Sequence, residues 1–241
     1  MSQSARPTRQ APRAALAALM TIFLAAGGCG RQDAAPAAQD QASAAALPAT
    51  EYFEGLTEEA FSASDRRLDV LISLARNASA RDRRTLPLAR AAELDTLLAA
   101  INRHRASMNR ADLAIASVEA YRLFVSAMPS STPIPTEVSL LDYAGFRFGA
   151  DLNADPPRWG DAASALDFAD AHWSQISGRV TDAVVRNRFN SALLGMRTAI
   201  DSRDLAAARQ AGLRELDLVD ELETWFSRPA VGASSPAKGA T

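Results

Sequence analysis

Between residues 52 and 228, apolar side chains recur at steps of three and four, the spacing that lines one face of a helix. Leu94, Leu97, Ile101, His104 and Met108 make one such stripe. Trp159, Ala163, Leu166, Ala169, Trp173, Ile176 and Val180 make another. A third runs through Leu205, Ala208, Gly212, Leu216, Val219 and Phe226, with Asp217, Asp220 and Glu221 away from it. No stretch alternates apolar and polar residues for long enough to make a strand. The pattern predicts an all-α domain, a single helical bundle or stacked αα-hairpins of about seven helices.

Start and stop residues divide this domain. Thr57 before Glu58 and Glu59 reads as a capped start, with acids at the positive end of the helix. Asp155 before Pro156 and Pro157 reads as a second start, with proline where no amide donor is needed. Pro129, Pro133 and Pro135 break any helix between Met128 and Thr136 and make a crossover. The run Asn109-Arg-Ala-Asp112-Leu113-Ala114-Ile-Ala116 resembles Asp201-Ser-Arg-Asp204-Leu205-Ala206-Ala-Ala208, offset by 92 residues. In each, the first residue can cap a helix while an acid three places later sits in its first turn. One reading is two similar three-helix halves, roughly 57–127 and 149–226, joined through a helix near 137–152. The other is unrelated turns that share capping chemistry. Between Leu140 and Gly149, Gly145 and Gly149 weaken a helix interior and favour either a close backbone approach or a bend.

Composition supports helices. Of the 241 residues 48% are apolar, and much of that is alanine, which suits close-packed helices. The net charge of −2 is uneven: residues 1–28 hold Arg6, Arg9 and Arg13 and no acid. The remainder carries 23 basic and 28 acidic residues, a mildly acidic balance of the wrong sign for nonspecific binding to nucleic acid or anionic lipid. Lys238 is the only lysine.

The first 28 residues set themselves apart. A basic, polar start to residue 13 is followed by an apolar run from Ala14 to Ala26, too short for the about 20 residues that span a bilayer. It has the build of the apolar core of a secretory signal. Ala25-Ala26-Gly27-Gly28 then lead directly into Cys29, the only cysteine. This segment resembles the lipobox of bacterial lipoproteins, in which small residues precede a cysteine that becomes lipidated and amino-terminal. The third residue before that cysteine is usually leucine and here is Ala26. The resemblance covers about the first 30 residues and implies a signal peptide at 1–28, lipidation (palmitate among the acyl chains) at Cys29, and a periplasm-facing module held in the cell envelope. Gly30 stands where an aspartate commonly signals inner-membrane retention, so the resemblance points to the outer membrane. Residues 29–51 read as a flexible tether, 52–228 as the helical domain and 229–241 as a disordered tail. Ser235-Pro-Ala-Lys238 in that tail matches an S-x-x-K pattern by chance, because that motif must open a buried helix.

Little chemistry is spelled out in the folded part. It has no glycine-rich phosphate loop, no H-E-x-x-H, no G-x-S-x-G and no E-x-x-H pair. His104 lies on its apolar stripe between Ile101 and Met108, and at the offset of 92 its counterpart is Met196. A His–Met pair across a bundle can ligate haem iron or copper; otherwise His104 is a core-edge histidine and Met196 fills the core. His172 is two residues from Asp170, a spacing that points the two to different helix faces. Trp159, Trp173, Trp225, Tyr143, Phe146 and Phe148 either line a ligand cleft or, as four of them lie on or beside core stripes, pack the core. Arg81, Arg83 and Arg84 either compensate a helix end or contact an anionic cell-wall polymer. The expectation is a membrane-anchored periplasmic lipoprotein acting as a non-catalytic binding or scaffolding module for an envelope protein or cell-wall partner, with no cofactor predicted. The alternative is a haem- or copper-binding bundle for electron transfer or metal handling, with His104, Met196 and Met108 as candidate ligands.

Overall fold

The computed structural model describes residues 47–127 and 133–228. Within them the chain forms eight α-helices, one more than the pattern predicts: α1 Ala49–Glu59, α2 Asp65–Asp82, α3 Leu88–Ala106, α4 Arg110–Ala127, α5 Thr136–Leu152, α6 Trp159–Ile176, α7 Ala183–Ser202 and α8 Leu205–Ser227. Short 3₁₀ turns, Arg83–Thr85 and Ser177–Arg179, follow α2 and α6. The all-α expectation holds, and no strand occurs among the described residues. No described helix is long and apolar enough to cross a membrane.

Two expected helix starts move. The first helix begins at Ala49, so residues 49–51 belong to the domain and not to the tether. Thr57 lies inside this helix with its hydroxyl donating to the Phe53 carbonyl at 2.8 Å, and Ser64 caps the next one by accepting from the Arg67 amide. Helix α6 starts at Trp159 behind Arg158, three residues after the Asp155–Pro156 pair.

The order helix, helix, 3₁₀ turn, helix, helix occurs twice, and the packing repeats with it. Helix α1 packs on α2 and α4, and α3 packs on α4; correspondingly α5 packs on α6 and α8, and α7 packs on α8. The second and third helices of each set meet only lightly. The two sets join where α4 lies against α5. The halves are therefore four-helix repeats, 49–127 and 136–227, and the helix expected to link them, α5, is the first helix of the second repeat. Core positions correspond at an offset of 94 in the second helices: Leu68 with Ala162, Leu71 with Ala165, Ile72 with Leu166 and Ala75 with Ala169, all buried. In the third and fourth helices the offset is 95: Leu94 with Phe189, Ile101 with Met196, Leu113 with Ala208 and Phe124 with Val219, again all buried.

The 92-residue register read from the sequence is corrected by the turns themselves. Asn109 caps α4, its side chain accepting from the Asp112 amide at 3.1 Å, and Asp204, not Asp201, caps α8, accepting from the Ala207 amide at 3.0 Å. The residue before each cap is left-handed, Met108 at φ 55° and Arg203 at φ 51°. In both turns the cap amide reaches back five residues, Asn109 to the His104 carbonyl and Asp204 to the Ala199 carbonyl, while the left-handed residue reaches back three. This is one helix ending built twice, satisfying the last carbonyls of α3 and α7. Asp201 lies in the last turn of α7, so its likeness to Asn109 is one of composition.

Candidate functional site

Along the seam between the repeats, side chains of α4, α5 and the residue before α6 form a strip of two bonded groups, joined by the Arg158 amide donating to the Asp151 carbonyl at 3.0 Å. Glu119 on α4 is its centre. Its Oε1 accepts from Tyr143 Oη at 2.8 Å and from Arg147 Nη1 at 2.5 Å, both on α5. Its Oε2 accepts from Arg122 Nε, one helical turn along α4, at 2.9 Å. Arg147 turns its Nε to Asp151 Oδ2 at 2.9 Å, an i,i+4 pair on the same helix face. Beyond it Arg158, the residue before α6, donates to Asp112 Oδ1 at 2.5 Å. Asp112 Oδ2 accepts from Asn109 Nδ2 at 2.7 Å and stands 3.9 Å from His104 Nδ1. In the other direction the Arg122 guanidinium lies 5.4 Å above the Tyr143 ring, which meets Phe168 of α6 edge-on at 5.2 Å. Phe168 in turn packs on His172 at 4.3 Å.

Burial sets the electrostatics. Asp151 is fully buried with its Oδ1 unbonded, and this pushes its carboxyl up to about 6 against the opposing pull of Arg147. The Tyr143 hydroxyl is raised by burial and then by the adjacent Glu119 charge, so it is a neutral donor. Burial lowers His172, whose Nδ1 makes no hydrogen bond. Each carboxylate of the strip is matched by a guanidinium, an arrangement that binds helices together. Arg122 and Arg158 keep side-chain exposures of 35% and 36%, so guanidinium edges reach the surface along the seam.

The sequence-predicted residues lie as follows. Cys29, the tether before residue 47, and Ser235 with Lys238 are outside the described residues. His104 is half-buried at the end of α3, Met108 is 73% exposed in the following turn, and Met196 is fully buried under α7. Helices α3 and α7 share no packed face, because α4, α5 and α8 lie between them in the packing order. The structure thus brings His104 to Asp112 and not to Met196, and the true register pairs Met196 with Ile101. Among the described residues no three His, Cys, Asp or Glu side chains gather in a group that could hold a metal ion. Asp170 pairs with Arg197 at 2.6 Å, away from His172. Of the six aromatics, Trp173, Tyr143, Phe146 and Phe148 are buried and Trp159 and Trp225 half-buried. Trp173 stacks on Phe189 at 4.3 Å and donates to Asn190, while Trp225 packs on Phe226, so these rings serve separate parts of the core. Of the arginine cluster, Arg81 pairs with Asp82 and Arg83 with Asp95, while Arg84 is exposed and makes no ion pair among the described residues.

Sequence reasoning missed the seam strip and the buried acids Asp142, Asp151 and Glu215. Two signals were available: Glu119 with Arg122 at i,i+3 and Arg147 with Asp151 at i,i+4, both set in otherwise apolar helices. No family model matches the chain, and no curated protein and no solved structure matches it either.

Proposed function

We propose that the chain is an exported lipoprotein, held through acyl chains on Cys29 in the outer membrane, that presents a non-catalytic helical module to the periplasm. The observation that carries this reading is the position of Cys29, the sole thiol, directly behind an apolar run and four small residues. One acyl chain gives only reversible membrane binding, so the two or more implied by the lipobox are what make the attachment stable. The module's part of the proposal is binding or scaffolding of an envelope protein or cell-wall polymer. Tandem helical repeats supply extended surfaces for that kind of work, and the seam from His104 to His172 carries exposed guanidinium edges and aromatic faces along one such surface.

The test is incorporation of a labelled fatty acid by cells expressing the full chain. Label should enter the wild-type protein and be lost in Cys29→Ser, with the wild type sedimenting with outer-membrane vesicles. A mature protein whose first residue maps well downstream of position 29 and carries no label refutes the reading.

A further inference from the structure

Consecutive helices run antiparallel, as the bonds Arg105–Asp69, Glu119–Arg147, Arg197–Asp167 and Arg188–Glu221 show, and this fixes the two ends of the domain. Leu47 is held beside the end of α2, where Arg81 donates to its carbonyl at 2.6 Å and the Ala49 amide donates to Asp82 Oδ2 at 2.9 Å. Both 3₁₀ turns, the starts of α3 and α7 and the end of α8 lie at this same end, and Arg179 of the second 3₁₀ turn covers the Phe226 ring at 5.2 Å. The four tight turns, including Met108, lie at the other.

The end that holds Leu47 has a feature built into both repeats. Each 3₁₀ turn supplies arginine, Arg83 and Arg84 in the first repeat and Arg179 in the second. Each is followed, in the first turn of the next helix, by an aliphatic side chain in water: Leu88 is 89% exposed and Val184 66% exposed. Isolated apolar residues on a surface are ordinary. Leu88 and Val184 open corresponding helices one register step apart, beside arginines and at the end where the chain leaves for Cys29, while Phe61 and Met108 are exposed at the opposite end. Asp82 and Asp95 at this end pair with Arg81 and Arg83, and Asp182 caps α7, while Arg84 acts on Asp82 from beyond ion-pair distance and Arg228 makes no ion pair among the described residues. Only 17 residues separate Cys29 from Leu47, a span of at most about 60 Å when extended. A short tether raises the effective concentration of the domain at the bilayer, so contacts too weak to bind alone become occupied.

We propose that this end of the domain rests on the lipid surface, with Leu88 and Val184 entering the headgroup–acyl boundary and Arg84, Arg179 and Arg228 meeting lipid phosphates. The seam and the far turns then face the periplasm at a fixed orientation. The proposal rests on the lipoprotein reading. Full chain carrying acyl groups is placed in vesicles of phosphatidylethanolamine and phosphatidylglycerol, with a nitroxide on Leu88→Cys, Val184→Cys or Met108→Cys in turn. Cys29 as an acylated thioether does not take the label. Labels at 88 and 184 should collide more with lipid-dissolved oxygen and less with an aqueous nickel chelate than the label at 108. Equal, water-like accessibility at all three positions, with acyl mass and vesicle flotation intact, overturns the docking and leaves the anchor standing. Loss of both acyl mass and flotation overturns the anchor itself, and the docking with it.

Discussion

Arg147 on α5 donates to Glu119 on α4 at 2.5 Å, and this bond crosses the junction between the two repeats. With Asp151 also on Arg147, one guanidinium neutralises two carboxylates of which one is fully buried. Arg147→Ala leaves both without it and should lower stability by roughly 3 kcal/mol. Urea unfolding measures the loss. A Glu119→Ala, Arg147→Ala double-mutant cycle should give a coupling of about 1 kcal/mol or more. Additive effects would show that the bond does not hold the repeats together.

The Asp151 carboxyl titrates near 6 in the folded protein, raised from 3.8 chiefly by burial. A raised acid favours the folded state when protonated, so its contribution is fully present below pH 3.8 and disappears as pH rises through 6. The shift corresponds to about 3 kcal/mol at most. Asp151→Asn keeps an acceptor for Arg147 and removes the titration. Its melting temperature should exceed that of the wild type at pH 7.5 and approach it at pH 4. A constant difference across that range counts against the assignment.

Helix α5 crosses α8 where glycine has no substitute. A Cβ at Gly145 would stand 2.2 Å from Glu215 Oε2 and 2.6 Å from Leu216 Cδ2, and one at Gly212 would stand 2.9 Å from Phe148 Cδ1. Gly145→Ala should destabilise by about 1–3 kcal/mol through overpacking, despite its better helix propensity. Gly149 meets nothing within 4 Å, so Gly149→Ala should instead stabilise by about 0.5–1 kcal/mol. Thermal unfolding of the two variants gives the contrast in sign.

The matched turns predict matched responses. Asn109→Ala and Asp204→Ala each remove a cap and should each lower stability by about 1 kcal/mol. Met108→Gly and Arg203→Gly relieve a left-handed residue and should each raise it by about 1 kcal/mol. Asp201→Ala should change little, which separates the 95-residue register from the 92-residue one.

The helical class, the helix start behind Pro135 and the buried stripes of α6 and α8 were legible in the sequence, because capping and a 3.6-residue period are local. Thr57 misled because a threonine before two acids looks the same whether it caps a helix or bonds back within one. The seam strip was illegible in another way: Glu119 meets Tyr143 and Arg147, and Asp112 meets Arg158, only through folding, and no local pattern states which helices will be neighbours.

The sequence by itself determined the helical class, the lone cysteine behind an apolar run and the Asn109 cap, since each depends on residues within a few positions. Tertiary structure decided what each face meets. Val118 and Leu213 occupy equivalent positions of α4 and α8, yet Val118 is fully buried and Leu213 is 49% exposed. Helix α4 lies between the repeats, with α5 packed against it in addition to α1 and α3, whereas among the described residues α8 packs on α5 and α7 alone. The apolar character of both side chains is written in the chain, whereas water's access to them depends on which helices pack against each face.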